Sequence, residues 1–153
     1  MIINRLAVLI GMVFLLASCA TDKYGETYYG FRTSSSSTDT GVKYLLGHGV
    51  KKDNKRAFYY FKQAADKGDL AAQNELGYMY AAGQGVPRNY GKAFIYYHQA
   101  ADQGLASAQY NLGLLYLNGL GTPVSTPKAL EWFKRSANSG FEPASMALKR
   151  YSS

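Results

Sequence analysis

A chain of 153 residues leaves room for no more than one ordinary domain, and its single cysteine excludes any disulfide within the chain, so packing must supply the stability. Hydrophobic residues make up 47%, enough for a core, while charged residues at 18% are few for a soluble surface. The net charge of +7 favours an acidic partner or an anionic surface over a basic one; basicity alone does not indicate nucleic acid, and the N-terminal sequence argues against nucleic acid as a partner.

The chain opens MIINRLAVLIGMVFLLASCA. Arg5 precedes an apolar run from Leu6 to Leu16, too short to span a bilayer but matched to the hydrophobic region of a secretory signal. Leu16-Ala17-Ser18-Cys19 resembles a bacterial lipobox, which implies a signal peptide over 1–18, cleavage before Cys19 and acylation of its thiol. More than one acyl chain gives stable anchoring. Ala20 rather than Asp follows the cysteine, and by resemblance to Gram-negative sorting rules this implies an outer-membrane lipoprotein facing the periplasm.

Residues 19–40 are expected to form a flexible tether, because small, polar and glycine residues interrupt every apolar period. About 20 such residues reach roughly 25 Å. Tyr24, Tyr28, Tyr29 and Phe31 are unusual in a linker and are expected to pack in part on the first folded unit.

From residue 41 onward the sequence repeats itself every 36 residues. Gly41, Gly77 and Gly113 correspond; so do Tyr44, Tyr80 and Tyr116; Ala57, Ala93 and Ala129; Phe61, Tyr97 and Phe133; and Gly68, Gly104 and Gly140. Self-similarity at a fixed period of this size signals stacked repeats. Each unit reads as two helices. Ala93, Tyr96, Tyr97 and Ala100 form an apolar stripe at i, i+3, i+4, i+7 in the second; Ala72, Leu76, Met79 and Tyr80 form its counterpart in the first. Asp53, Asn89 and Ser125 precede the second helices as candidate N-caps, although Pro127 makes Thr126 an alternative cap in the third copy. Gly77 and Gly113 fall inside helices despite a cost of about 1 kcal/mol relative to Ala, which points to a close helix contact at each.

The pattern A-x-x-Y-Y-x-x-A-A-x-x-G followed by A-x-x-x-L-G-x-x-Y-x-x-G-x-G resembles the Sel-one-like repeat, a relative of the tetratricopeptide repeat. The resemblance covers about Gly41 to Ser153. It implies an all-α fold, an α/α solenoid of helix-turn-helix units wound as a right-handed superhelix. The expected domain runs over 41–153: a degraded first repeat to 69, full repeats over 70–105 and 106–141, and a capping helix over 142–153, where Lys149 replaces the expected glycine. The family implies a non-catalytic binding module that takes another protein in the concave groove lined by its first helices, and the chain is read as a monomer.

No constellation for catalysis, metal binding or a cofactor is found in the sequence. His48 occupies a turn position held elsewhere by Gln84 and Leu120, and neither it nor His98 has a metal-ligand partner at suitable spacing. Two surfaces are candidates for binding. A basic ridge is expected along the second helices from Arg56, Lys62, Lys92, Lys128 and Lys134, suited to an acidic partner or simply solvated. A helical wheel places Asn74, Tyr78, Tyr110 and Leu114 on the side of the first helices away from the core stripe, where they would either contact a partner or pack between repeats. The functional expectation is a membrane-anchored interaction scaffold. An immunity lipoprotein that neutralises a secreted toxin is the alternative, and a cell-wall hydrolase the weaker one.

Overall fold

The computed structural model describes residues 36–152. Cys19, the signal sequence and the tether aromatics Tyr24, Tyr28, Tyr29 and Phe31 lie outside the described residues. Within them the chain forms seven helices and no strand: α1 Ser36–Leu46, α2 Asn54–Ala65, α3 Leu70–Ala82, α4 Tyr90–Asp102, α5 Ala106–Asn118, α6 Thr126–Asn138 and α7 Glu142–Tyr151. Each helix packs chiefly on the helix before it and the helix after it in the chain. The odd-numbered helices are the first helices of successive repeats and the even-numbered ones the second.

The repeat is visible in its hydrogen bonds as well as its sequence. The N–H groups of Asp53, Asn89 and Ser125 donate to the carbonyls of Tyr44, Tyr80 and Tyr116 at 2.9, 2.8 and 2.8 Å, tying each cap residue back to the preceding helix. The same three side chains then cap α2, α4 and α6 by accepting from backbone N–H groups of the first turn. In α6 the cap is Ser125, not Thr126. Thr126 and Pro127 are the first two helical residues, where proline's missing N–H leaves no bond unmade. Between units, Asp69, Leu105 and Phe141 donate to the carbonyls of Ala64, Ala100 and Ser136.

Packing inside each unit turns on one glycine and one ring. A Cβ built on Gly77 would stand 2.6 Å from Cδ1 of Tyr97, one on Gly113 would stand 2.6 Å from Cε1 of Phe133, and one on Gly41 would stand 2.8 Å from Phe61. No side chain fits at such distances, so the backbone of each first helix lies directly against a ring of the second. Ala57, Ala64, Ala93, Ala100 and Ala129 are fully buried around these rings, and Ser136 takes the matching alanine position in the third unit. Its hydroxyl is satisfied by donating to the Ala106 carbonyl at 2.6 Å.

The apolar stripe predicts that both paired aromatics of the second helix enter the core; this holds in the third unit, where Trp132 and Phe133 are both buried, but not in the first two. Phe61, Tyr97 and Phe133 are buried, but Tyr60 and Tyr96 are only half-buried. They lie flat on the tyrosine of the first helix, Tyr44–Tyr60 at 5.6 Å and 4°, Tyr80–Tyr96 at 5.8 Å and 9°. Stacked in this way, a phenol keeps its hydroxyl in water.

The first helix begins at Ser36, inside the 19–40 segment expected to be a tether. Thr38 is buried and its Oγ1 donates to Asp69 Oδ2 at 2.8 Å, while Gly41 seats Phe61. The serine-rich run that resembles a linker therefore starts the first unit of the stack. At the other end α7 buries Ala144 and Ala147, keeps Lys149 and Arg150 exposed, and lays Tyr151 near Phe133 with ring centroids 6.5 Å apart.

Candidate binding surfaces

The basic ridge is built differently from a solvated row of charges. Arg56, Lys92 and Lys128, at the start of α2, α4 and α6, each lie over the tyrosine of the preceding first helix: Tyr44 at 5.4 Å, Tyr80 at 5.2 Å and Tyr116 at 5.3 Å. Arg56 also donates to the Tyr44 hydroxyl at 3.3 Å, and that bond is the main reason its guanidinium is held above its ordinary pKa. The rings carry further contacts, Phe58 edge-on to Tyr80 and Phe94 edge-on to Tyr116. The cation is thus one layer of a recurring stack. The sequence carries the signal as a cation 12 residues after each tyrosine, in all three copies.

The second basic row is largely paired. Lys62 is bonded to Asp66, which raises its pKa, and His98 Nδ1 lies 2.8 Å from Asp102 Oδ2. Arg135 pairs with Glu131 at 2.6 Å and lies 4.5 Å over Trp132. Lys134 is exposed on the same helix. His98 is not simply an outer-face residue: its ring touches Phe94 and Trp132.

On the first helices the four proposed contact residues separate into two groups. Asn74 and Tyr78 lie on α3. The Asn74 carboxamide oxygen accepts from Asn111 Nδ2 at 3.0 Å, a bond that links α3 to α5 and commits Asn74 to packing between repeats. Tyr78 is 48% exposed, although Ala72, Leu76 and Met79 on the other face of α3 are fully buried. Tyr110 and Leu114 lie on α5. Tyr110 is held between Phe133 and Phe141, each 5.5 Å away, and both residues line a cleft of about 280 Å³ closed by Met146 and Tyr151 of α7. The structure therefore leaves Tyr78 as the presented ring, whereas Tyr110 joins units together.

Glu75, which sequence reasoning passed over, is one turn before Tyr78. It is half-buried, hydrogen-bonded to Asn74, and loss of water pushes its pKa up. Burial also raises the Tyr97 phenol, with smaller contributions from nearby Glu75 and Tyr78.

A second cleft, of about 740 Å³, runs between α2 and α4 and is lined by Lys62, Gln73, Lys92, Ile95, Tyr96 and Asp102 among others. The buried Gln73 Oε1 has no hydrogen-bond partner, but the same is true of Gln109 Oε1 one repeat later. An orphan acceptor that recurs with the period belongs to the repeat rather than to a particular ligand. Among the described residues no group of three or more His, Cys, Asp or Glu side chains is placed to hold a metal ion, and no helix is long and apolar enough to cross a membrane.

The pattern of the Sel1 repeat matches residues 38–69, 70–105 and 106–141. The chain belongs to the Sel1 repeat family. Sel1 repeat proteins are generally protein–protein interaction scaffolds, and the family is typically non-catalytic. Among solved structures the chain is similar to a Sel1 repeat protein from Oxalobacter formigenes, at 33% identity and a TM-score of 0.70, over 73% of this chain and 46% of that one. It is also similar to a protective antigen of uropathogenic Escherichia coli with the same repeat fold, at 38% identity and a TM-score of 0.66, over 68% of this chain and 22% of that one. Cysteine rich protein B of Helicobacter pylori shares the fold at 23% identity and a TM-score of 0.63, over 73% and 86% of the two chains. The Sel1 chain thus spans less than half the length of the first two structures. No curated protein matches its sequence.

Proposed function

We propose that this Sel1 repeat protein is a non-catalytic scaffold of the bacterial envelope, anchored to the membrane through acylated Cys19 and binding a protein partner on the face of α3 and α5 around Tyr78. The observation that carries the binding surface is the exposed Tyr78 ring on α3, a helix whose opposite face, Ala72, Leu76 and Met79, is fully buried in the stack. An exposed tyrosine on a rigid helix offers a large contact area and a polar tip at little entropic cost, the profile of a binding anchor. The anchor rests on the Leu16-Ala17-Ser18-Cys19 sequence after an apolar run. A tethered binder works at high local concentration, so modest intrinsic affinity suffices.

Two measurements test this reading. Metabolic acyl labelling should mark the wild-type chain and not Cys19→Ser, which should leave the membrane fraction; an unlabelled wild type removes the anchor. Affinity capture from envelope extract should recover a partner with the wild type and with Lys134→Ala, but not with Tyr78→Ala. Equal recovery by a folded Tyr78→Ala variant removes the surface.

A further inference from the structure

Charge is segregated in this chain. The second helices carry Lys55, Arg56 and Lys62 on α2, Lys92 on α4, and Lys128, Lys134 and Arg135 on α6, and the end helices carry Lys43 on α1 and Lys149 and Arg150 on α7. Neither α3 nor α5 contains a Lys, Arg or His, and Glu75 is the single charged side chain on the two. A protein of net charge +7 thus presents, along its two central first helices, one charge of the opposite sign.

That charge is also incompletely satisfied. Asp53, Asp66, Asp102 and Glu131 each have a basic partner within 4 Å, namely Arg56, Lys62, His98 and Arg135. Glu75 has no such ion pair among the described residues, and it is half-buried where Asp66, Asp102 and Glu131 are exposed. Its hydrogen-bonded neighbour Asn74 is itself held by Asn111. A carboxylate with part of its hydration removed, fixed in place by an amide, gains more from an incoming cation than a fully hydrated one does. Tyr78 lies at i+3 on the same helix and is exposed, so the ring and the carboxylate border the same surface. A carboxylate beside an aromatic face is a pairing that selects guanidinium and ammonium groups.

We propose that the α3–α5 face takes a basic segment of the protein partner, with an Arg or Lys side chain pairing with Glu75 and lying across Tyr78. This deepens the binding reading given above and rests on it. The overall charge of the chain, taken alone, favours an acidic partner; at this face the local arrangement reverses that preference, and the net positive charge of the remaining surface limits binding to short basic segments that reach the face.

The test uses the full chain in detergent and two fluorescent probes, N-acetylated tetra-arginine amide and N-acetylated tetra-glutamate amide, titrated by anisotropy at low ionic strength. The arginine peptide should bind, Glu75→Gln should weaken it about tenfold, in keeping with loss of a charge-assisted hydrogen bond, and Asp66→Asn on the outer row should leave it unchanged. Glu75→Gln is close in size to the native residue, and a cooperative thermal melt no lower than that of the wild type confirms that its fold is intact. Equal binding by wild type and Glu75→Gln overturns the proposal, as does an equal loss in Glu75→Gln and Asp66→Asn, or no binding of the arginine peptide. Preferential binding of the glutamate peptide that Tyr78→Ala abolishes also overturns it, while leaving the α3–α5 face as the binding surface.

Discussion

Gly77 of α3 lies directly beneath the ring of Tyr97 of α4, so close that a Cβ at position 77 would be 2.6 Å from Cδ1 of the ring. The glycine is where the two helices of the unit meet, and Gly113 with Phe133 repeats the contact. Helix propensity alone would make Gly77→Ala stabilising by about 1 kcal/mol. The structure predicts the reverse, a net loss of about 1–3 kcal/mol from overpacking, because the ring is buried and has nowhere to move. Chemical denaturation of Gly77→Ala and Gly113→Ala measures it. Pairing Gly113→Ala with Phe133→Leu should recover part of the loss, and a strictly additive double mutant would contradict the contact.

Lys92 and Lys128 are predicted to act through Tyr80 and Tyr116 rather than as independent surface charges. Lys92→Gln should destabilise by about 0.5–1 kcal/mol, the range for an exposed cation over a ring. The same substitution in a Tyr80→Leu background should cost less. A double-mutant cycle on urea midpoints shows whether the coupling exists, and a coupling of zero returns these lysines to the solvated row expected from sequence.

The caps give a sharper pair. Ser125→Ala should lower stability by about 1 kcal/mol, whereas Thr126→Ala should be close to neutral, since Ser125 Oγ accepts from the Lys128 N–H and Thr126 is already inside α6. Thermal melts of the two variants would decide between them, and the opposite ranking would move the cap to Thr126.

Much of this architecture was legible in the sequence because the chain states it three times. Asp53, Asn89 and Ser125 identify themselves as caps by recurring where a helix must start, and Gly77 and Gly113 identify a contact by recurring where glycine is unfavourable. What periodicity cannot separate is two neighbours that recur together. Tyr96 and Tyr97 share a stripe, yet a difference of about 100° around the helix sends one onto Tyr80 and the other under the backbone of α3. The lysines of the ridge were visible as a row, but their role depends on a partner 12 residues earlier in a different helix. Ser36 and Thr38 resemble linker in sequence because no apolar period lasts through the small and polar residues around them; the buried bond from Thr38 to Asp69 is a tertiary effect that composition does not carry. Glu75 gives a weaker signal: its counterparts are Asp39 and Asn111, so the carboxylate is kept in only one other copy and the position stands out neither as a cap nor as part of the apolar stripe.

Glu75 also predicts a pH dependence of stability. Burial raises its pKa in the folded state above the ordinary 4.5, so folding favours the protonated form. Any stability gained from that protonation is complete below the unfolded value and is lost as pH rises through the folded one. Glu75→Gln, which mimics the protonated state, should therefore melt at or above the wild-type temperature at pH 7, and the gap should close as pH falls below about 4. Melting curves at several pH values check this; a variant less stable than wild type at pH 7 would mean that the ionised carboxylate is well satisfied after all.

The most direct test of the account is photo-crosslinking in living cells, with a photoreactive phenylalanine analogue placed at Tyr78 in one full-length chain and at Lys134 in another. If the face of α3 and α5 is where this Sel1 protein meets its partner, position 78 should give a discrete crosslinked species that position 134 does not. Crosslinks at 134 with none at 78, in chains of equal abundance, would place recognition on the second helices and contradict the central claim.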